Sequence, residues 1–196
     1  MTENPKAENH KQPKGRSPWV FVLPLIAFLV FGVMAGIGLY GQISGSAHSD
    51  QGASVLVGKA APGLPVSALS DDLAKPLSAF KGQPVLVNIM ASWCAPCKAE
   101  LPALALLSKE VPVIAIAYKD RAEDTARFLT DYGNPFEAVW MDYDGSASMQ
   151  WGIYGVPETF LLDREGRIVM RHAGPIFKDV LEDVIRPALA ELAPSS

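Results

Sequence analysis

Residues 84–107 read PVLVNIMASWCAPCKAELPALALL, and this stretch decides the fold. Its first part, Pro84–Met90, is an apolar run with a single polar member, which is typical of a strand buried on both faces. After Cys94 the apolar residues recur at helical spacing, on a stripe that begins with Cys97. Pro102 falls within this helix and predicts a kink. The stretch therefore predicts a buried strand that turns directly into a helix, with two cysteines at the turn.

The same alternation continues further along the chain. Val111–Ala117 is a second buried apolar run, and Ala122, Ala126 and Leu129 form the stripe of a second helix. The order strand, helix, strand, helix implies parallel strands joined by a right-handed crossover. This part of the chain is therefore predicted to be an α/β unit.

The C-terminal part predicts a hairpin and a last helix. Thr159–Leu162 and Arg167–Met170 flank the polar turn Asp163–Gly166, so we expect two antiparallel strands. Residues 177–192 place four apolar side chains on one helical face. Together these elements predict an α/β fold in which a mixed sheet is flanked by helices on both sides. A domain of this size, about 140 residues, buries enough apolar surface to fold without a disulfide.

Cys94 and Cys97 are separated by two residues and lie at the start of the predicted helix. Unpaired backbone amides and the positive end of the helix dipole stabilise a thiolate there, and only a thiolate attacks a disulfide. We therefore expect Cys94 to be the exposed nucleophile and Cys97 to resolve the mixed disulfide. Pro96 in the first turn removes an amide that needs no intrahelical partner. The pattern predicts reversible disulfide chemistry.

Other uses of the cysteine pair are open to comparison. Haem attachment requires a histidine after the second cysteine, and Lys98 stands there. A zinc site needs two more ligands, and only His172 of the three histidines lies in the folded part. An inert structural disulfide remains the main alternative, although closing so short a loop constrains little of the unfolded chain. We expect no metal and no organic cofactor.

An apolar segment near the N-terminus explains much of the 49% hydrophobic content. From Trp19 to Tyr40 there are 22 residues without a charged side chain, enough to span the roughly 30 Å hydrocarbon core of a bilayer. Four basic residues precede this segment, so the positive-inside rule places the N-terminus in the cytoplasm. A cleaved secretory signal is the alternative, because small residues follow at 45–47. The length of the segment favours an uncleaved anchor.

These features divide the chain into four parts. We predict a cytoplasmic tail at 1–17, a transmembrane anchor at 18–41, a linker at 42–56 and a periplasmic domain at 57–196. The protein is thus expected to be a single-pass protein of the bacterial inner membrane. Its 17 basic and 21 acidic side chains give a net charge of −4, so the composition offers no reason to expect nucleic-acid binding.

A set of short motifs accompanies the cysteine pair between Val57 and Pro187. They are Gly58-Lys59 with Pro62, Asn88–Glu100, Tyr118–Asp120, Gly133–Phe136, Gly155–Leu161 and Arg171–Gly174. With these motifs the sequence resembles the thioredoxin superfamily, and within it the cytochrome c biogenesis thiol:disulfide interchange proteins (the CcmG/DsbE family). A lone Cys-x-x-Cys is a weak signal, but the combination is specific. The resemblance implies a thioredoxin-like mixed sheet behind an N-terminal single transmembrane helix.

The resemblance also implies roles for particular residues. Pro157 matches the cis-proline that faces the disulfide in this fold, and Val156 before it offers backbone groups to an extended substrate. Glu100 matches the family's active-site glutamate, and a carboxylate there can exchange a proton with Cys97. On its own, such a glutamate is usually a solvated partner of the helix dipole. Glu158 matches the family's second acid and is expected to contact substrate.

One position departs from ordinary thioredoxins, which carry a buried aspartate six residues before the first cysteine. Asn88 stands at that position, and because an amide cannot transfer a proton, Glu100 becomes the candidate base. Trp93 matches the tryptophan that shields the pair and is assigned to substrate binding, with plain packing as the alternative. His172 is expected to be structural. Asp120 either lines the site or is solvated.

The function implied by the resemblance is that of a membrane-anchored periplasmic protein-disulfide reductase. Its substrate would be a disulfide of apocytochrome c, or a mixed disulfide with another thiol protein of cytochrome c maturation, and a membrane thiol-electron donor would re-reduce it. A general periplasmic reductase with other exported substrates would use the same residues. An oxidant of the same fold would differ in redox poise. A binding module without turnover is disfavoured, because both cysteines are present.

Overall fold

The computed structural model describes Phe31, Val33, Met34 and residues 55–193. Phe31, Val33 and Met34 are helical and solvent-exposed. Among the described residues, no helix is long and apolar enough to cross a membrane. Apart from these three residues, the anchor predicted at 18–41 lies outside the described part of the chain, as do the tail and most of the linker. Those three segments stay predictions.

A mixed sheet of six strands forms the centre of the described domain. The strands are β1 (Ser67–Ala68), β2 (Val85–Met90), β3 (Val113–Tyr118), β4 (Ala138–Asp142), β5 (Glu158–Leu162) and β6 (Ile168–Ala173). Their order in the sheet is β1-β4-β3-β2-β5-β6. The pairs β2/β3 and β3/β4 are parallel, whereas the other three pairs are antiparallel. The predicted crossover unit and the predicted hairpin are both confirmed.

Helices connect and flank these strands. They are α1 (Ala95–Leu107), α2 (Ala122–Tyr132), α3 (Ser146–Gln150), α4 (Lys178–Val180) and α5 (Arg186–Glu191). The segment predicted as one helix over 177–192 is helical over most of its length. A π-helical segment, Leu181–Ile185, separates α4 from α5. Pro187 follows this segment, and because proline has no amide hydrogen, the bond to the carbonyl four residues earlier is lost.

The position of β2 at the middle of the sheet explains its composition. All six of its residues are buried, because both faces of the sheet are covered. Leu86, Asn88 and Met90 share one face with α1, whereas Val87 and Ile89 lie on the opposite face. The core under α1 also contains Leu101, Leu104, Leu107, Leu161 and Ile176, and the opposite core contains Trp151, Phe160 and Leu162. The chain after β2 consequently enters α1 from the centre of the domain.

Three short elements are not predicted from the sequence. β1 has two residues and α3 has five, too few to show a repeating pattern. β4 has five residues, and its apolar run Ala138–Met141 is a strand signal that the prediction does not use. Partnership in the sheet forms β4, which pairs with β3 on one side and β1 on the other. α1 continues through Pro102.

The packing of α1 on the sheet gives a first testable prediction. Leu104 is fully buried, whereas Leu106 on the same helix is 47% exposed. We expect Leu104→Ala to lower the free energy of unfolding by about 2–5 kcal/mol, because it leaves a cavity against β2. Leu106→Ala is the matched control and should cost well under this amount. If denaturant titrations gave the same loss in unfolding free energy for both variants, the assignment of the buried face of α1 would be contradicted.

Candidate active site

The cysteine pair lies at the start of α1 and is closed as a disulfide. Cys94 is the N-cap residue, with extended backbone, and its Sγ accepts a hydrogen bond of 3.1 Å from the amide of Cys97. Pro96 occupies the first turn, where its missing amide hydrogen is not needed. An amide that the helix leaves unpaired therefore points at the sulfur of Cys94. This arrangement stabilises negative charge on that sulfur once the disulfide opens.

The exposure of Cys94 is smaller than the sequence analysis expects. Cys94 is 5% exposed and Cys97 is 1% exposed, so both are buried and the difference between them is slight. The physical reason is the disulfide, which ties the Cys94 sulfur to that of Cys97, itself buried under α1. The expectation of an exposed nucleophile is therefore wrong for the disulfide form.

Glu100 lies one turn after Cys97 on the buried side of α1 and is fully covered. Its Oε1 accepts a hydrogen bond from Asn88 Nδ2, and its Oε2 accepts one from the backbone amide of Ile176, each at 3.0 Å. Burial raises the pKa of Glu100 to about 7, although both hydrogen bonds act in the opposite direction. The solvated position considered from sequence is thus excluded. A carboxyl group of this kind can hold or release a proton near neutral pH.

Asp120 holds the segment that enters the cysteine pair. Its carboxylate accepts hydrogen bonds from the amide and the hydroxyl of Ser92, at 2.6 and 2.8 Å. It also accepts bonds from the amide of Arg121 and the hydroxyl of Thr125, at 2.8 and 2.9 Å. Asp120 is therefore not solvated: its side chain is buried, and it lies in the lining of the groove beside Trp93. It ties the end of β3 and the start of α2 to the residue two positions before Cys94.

Trp93 stands beside the cysteine pair and is 60% exposed. Its indole Nε1 donates to the carbonyl oxygen of Lys119 over 3.3 Å. Lys119 has a φ of 47°, a left-handed conformation that is uncommon for residues other than glycine. An open groove runs from Trp93 past Lys119 and Arg127 to Tyr132. Packing alone does not account for so exposed a tryptophan.

The segment before β5 contains the expected cis-proline. The peptide bond between Val156 and Pro157 is cis, as the resemblance implies. Pro157 is buried, and Val156 is partly buried against both cores. The carbonyl oxygen of Pro157 accepts a hydrogen bond of 2.9 Å from the amide of Gly174.

Glu158 and Glu100 lie on opposite faces of the sheet. Thr159 contacts the residue that binds Glu100, so the alternation along β5 turns Glu158 to the other side. The Glu158 carboxylate is buried and forms an ion pair of 2.7 Å with Nε of Arg171. The structure therefore does not bring the two acids together.

His172 is buried on β6, opposite Thr159 in the neighbouring strand. Burial lowers its pKa, against smaller opposing effects of the Pro175 carbonyl and Asp179. The buried position agrees with the structural role expected from sequence, although within the described residues neither ring nitrogen makes a hydrogen bond. Across the described part of the chain, no group of three or more His, Cys, Asp or Glu side chains is arranged to hold a metal ion.

Comparison with known proteins places this geometry in a family. The family model described as Redoxin matches residues 56–185. The thiol:disulfide interchange protein CycY of Rhizobium leguminosarum bv. viciae is 36% identical over 174 residues, which cover 86% of this chain and 94% of that protein. The chain belongs to the DsbE/CycY thiol:disulfide interchange proteins of the redoxin family. DsbE of Vibrio cholerae is likewise 36% identical, over 176 residues that cover 86% of this chain and 92% of that protein.

Solved structures confirm the thioredoxin-like fold. A thiol:disulfide interchange protein DsbE from Chlorobium tepidum superimposes with a TM-score of 0.56 at 24% identity, covering 69% of this chain and all of that one. The thioredoxin domain of a thiol-disulfide oxidoreductase from Bacteroides vulgatus gives a TM-score of 0.58 at 23% identity, covering 69% and 99%. With its Cys94–Cys97 pair, this member of the DsbE/CycY family is a thiol-disulfide oxidoreductase.

Sequence alone does not assign Thr159 or Ile176 to the site, and it leaves open whether Asp120 lines the site or is solvated. Each acts through a backbone or side-chain contact with a residue far away in the chain, so neither periodicity nor local spacing reveals it. Asp120 had one signal: an acid directly before the predicted second helix favours a capping role.

The burial of Glu100 predicts a pH-dependent contribution to stability. In the folded protein the pKa is about 7, whereas the ordinary value is 4.5, so the folded state binds this proton more tightly. The contribution of Glu100 to the free energy of unfolding is therefore fully present below about pH 4.5 and is lost as the pH rises through 7. Relative to Glu100→Gln, the wild-type free energy of unfolding should fall by about 3 kcal/mol across this window. A difference between the two proteins that does not change with pH would contradict the burial of an ionisable group here.

Proposed function

We propose that this oxidoreductase works as a reductant, with Cys94 as the attacking thiolate and Cys97 as the resolving one. The hydrogen bond from the Cys97 amide to the Cys94 sulfur at the helix N-terminus carries the choice of Cys94 as the attacking sulfur, whereas the reducing direction rests on the resemblance to the cytochrome c biogenesis thiol:disulfide interchange proteins. A donor placed there favours the thiolate over the thiol. In the reduced protein, Cys94 is therefore the sulfur whose thiolate form this contact favours.

The reaction then proceeds in two exchanges. The Cys94 thiolate attacks one sulfur of a substrate disulfide, which forms a mixed disulfide and releases the other substrate sulfur as a thiolate that takes up a proton. The Cys97 thiolate next attacks the Cys94 sulfur. This step breaks the mixed disulfide, releases the second substrate thiolate and leaves the Cys94–Cys97 disulfide. Two electrons pass from the protein to the substrate.

Glu100 supplies the proton acceptor for the second exchange. Cys97 must lose its thiol proton before it can attack, and Glu100 lies one turn further along the same helix. Its pKa of about 7 allows it to accept that proton near neutral pH and to release it afterwards. With Asn88 in place of an acid on β2, Glu100 is the carboxyl group that the core under α1 offers for this role.

The substrate is proposed to bind across the segment around the cis-proline. Val156 precedes β5 and offers its backbone groups to an extended segment of a partner, and exposed Trp93 directly precedes Cys94 in the chain. Glu158 is proposed to contribute through its ion pair with Arg171, which fixes the start of β5 next to Pro157.

The substrate class and the compartment come from the family resemblance and the N-terminal sequence. We place the domain in the periplasm, held to the inner membrane by residues 18–41. Its partner would be apocytochrome c, or another thiol protein of cytochrome c maturation, and a membrane thiol-electron donor would restore the dithiol. The named relatives are thiol:disulfide interchange proteins, which supports the exchange chemistry.

Trapping of the mixed disulfide tests the substrate assignment. Cys97→Ser removes the resolving thiol, so partners attacked by Cys94 should accumulate as covalent complexes that can be identified by mass spectrometry after non-reducing separation. We expect apocytochrome c or a thiol protein of its assembly among them. Cys94→Ser is the matched control and should trap at least tenfold less, because the attacking thiolate is gone. Recovery of many unrelated exported proteins and no cytochrome partner would favour a general reductase instead.

A further inference from the structure

Asn88 forms a buried polar contact that the exchange reaction does not itself use. It lies at the middle of β2 on the face under α1 and is fully covered. Its side-chain Nδ2 donates two hydrogen bonds of 3.0 Å, one to Glu100 Oε1 and one to Thr159 Oγ1. A polar side chain at the centre of a core is costly unless its groups are paired. The two hydrogen bonds of Asn88 therefore need an explanation other than packing.

The two contacts define the orientation of the Asn88 amide. The ionised carboxylate only accepts hydrogen bonds, so the NH₂ group that Asn88 turns to Glu100 suits that form of the acid. The Asn88 Oδ1 is buried and, within the described residues, makes no hydrogen bond. Both hydrogen bonds of the side chain therefore come from its nitrogen, to Glu100 and to Thr159. Thr159 acts as a brace, since it is held in the register pair Asn88–Thr159 between β2 and β5.

The charge environment of Glu100 makes this orientation consequential. The groups that face Glu100 are neutral donors: the Asn88 amide on β2 and the Ile176 backbone amide after β6. The other titratable groups nearby are Cys97 on α1 and His172, which lies opposite Thr159 on β6 and has Asp179 beyond it. Glu158 on β5 points to the other face and is paired with Arg171. Donation by Asn88 thus favours the ionised form of Glu100 without adding a second charge.

We propose that Asn88, braced by Thr159, is a positioning residue that fixes the Glu100 carboxylate in one orientation under the cysteine pair and favours its ionised form. This inference rests on the proposed role of Glu100 as the proton acceptor. An aspartate at position 88 would instead place two carboxyl groups about 3 Å apart, where they cannot both ionise readily. Because the Asn88 amide does not titrate, Glu100 is the group at this contact that gains or loses a proton.

The test is a direct titration of Glu100 together with the pH profile of the reaction. In Asn88→Leu, which keeps the volume and removes the donor, we expect the Glu100 carboxyl midpoint, followed by carbon-13 NMR, to rise by about one pH unit. The pH at which disulfide reduction reaches half its maximal rate should rise with it. Thr159→Val leaves Asn88 in place but removes its brace, and should raise both midpoints by a smaller amount. Thr130→Val, on the exposed face of α2, is the matched control and should move neither.

The outcomes separate the inference from the proposed function. A raised carboxyl midpoint with an unmoved rate profile supports the positioning role and removes Glu100 from proton transfer. A carboxyl midpoint that stays at the wild-type value in Asn88→Leu overturns the inference, whatever the rate does. If Asn88→Leu does not fold, Thr159→Val decides, and an unshifted midpoint in that variant likewise overturns it.

Discussion

The amide of Cys97 donates a hydrogen bond to the sulfur of Cys94 across the first turn of α1, and much of the domain is arranged so that this contact can form. A helix leaves its first amides without partners, so whatever occupies the N-cap position receives their hydrogen bonds. Here the group at that position is the sulfur that we propose as the attacking thiolate. The chain places it by running β2 through the centre of the sheet and turning into a helix within four residues.

The second constraint is the burial of Glu100 beneath the same helix. Four segments meet around this carboxyl group: β2 through Asn88, α1 through Glu100 itself, β5 through Thr159 and the segment after β6 through Ile176. Burial disfavours the carboxylate, whereas the two donors favour it, and the balance leaves its pKa at about 7. A group whose two protonation states are so evenly matched is suited to exchange a proton with a neighbouring thiol.

Much of this architecture could be predicted from the sequence, because local patterns determine it. Three features are each visible within one short segment of the sequence: the apolar run of β2, the helical stripe of α1 and the polar turn between β5 and β6. The structure confirms all three. β1 carries too few residues to show a period, and β4 is defined by its pairing with β3 and β1. The π-helical segment before Pro187 depends on a missing hydrogen bond. The predicted transmembrane anchor lies outside the described residues and stays a prediction.

The candidate site, too, could be predicted from the sequence only in part. The positions of Cys94, Cys97 and Pro157 follow from motifs that are contiguous in the sequence. The burial of Cys94 and the contact network of Asp120 depend on side chains brought together from distant parts of the chain. Glu158 lies next to Pro157 in the sequence, yet its side chain is on the face opposite Glu100 because neighbouring residues of a strand point in opposite directions. No pattern within a single segment contains this information.

The pKa of the Cys94 thiol tests the role of the helix N-terminus most directly. Cys97→Ser leaves Cys94 as the one cysteine of the chain, since there are two, and retains the backbone amide at position 97. The rate of its alkylation by iodoacetamide should be followed from pH 4 to 10. We expect the pH midpoint of Cys94 alkylation to lie at least about one unit below the ordinary thiol value of about 8.5. A midpoint at or above 8.5 would contradict it, because the helix terminus would then give the sulfur no stabilisation as a thiolate.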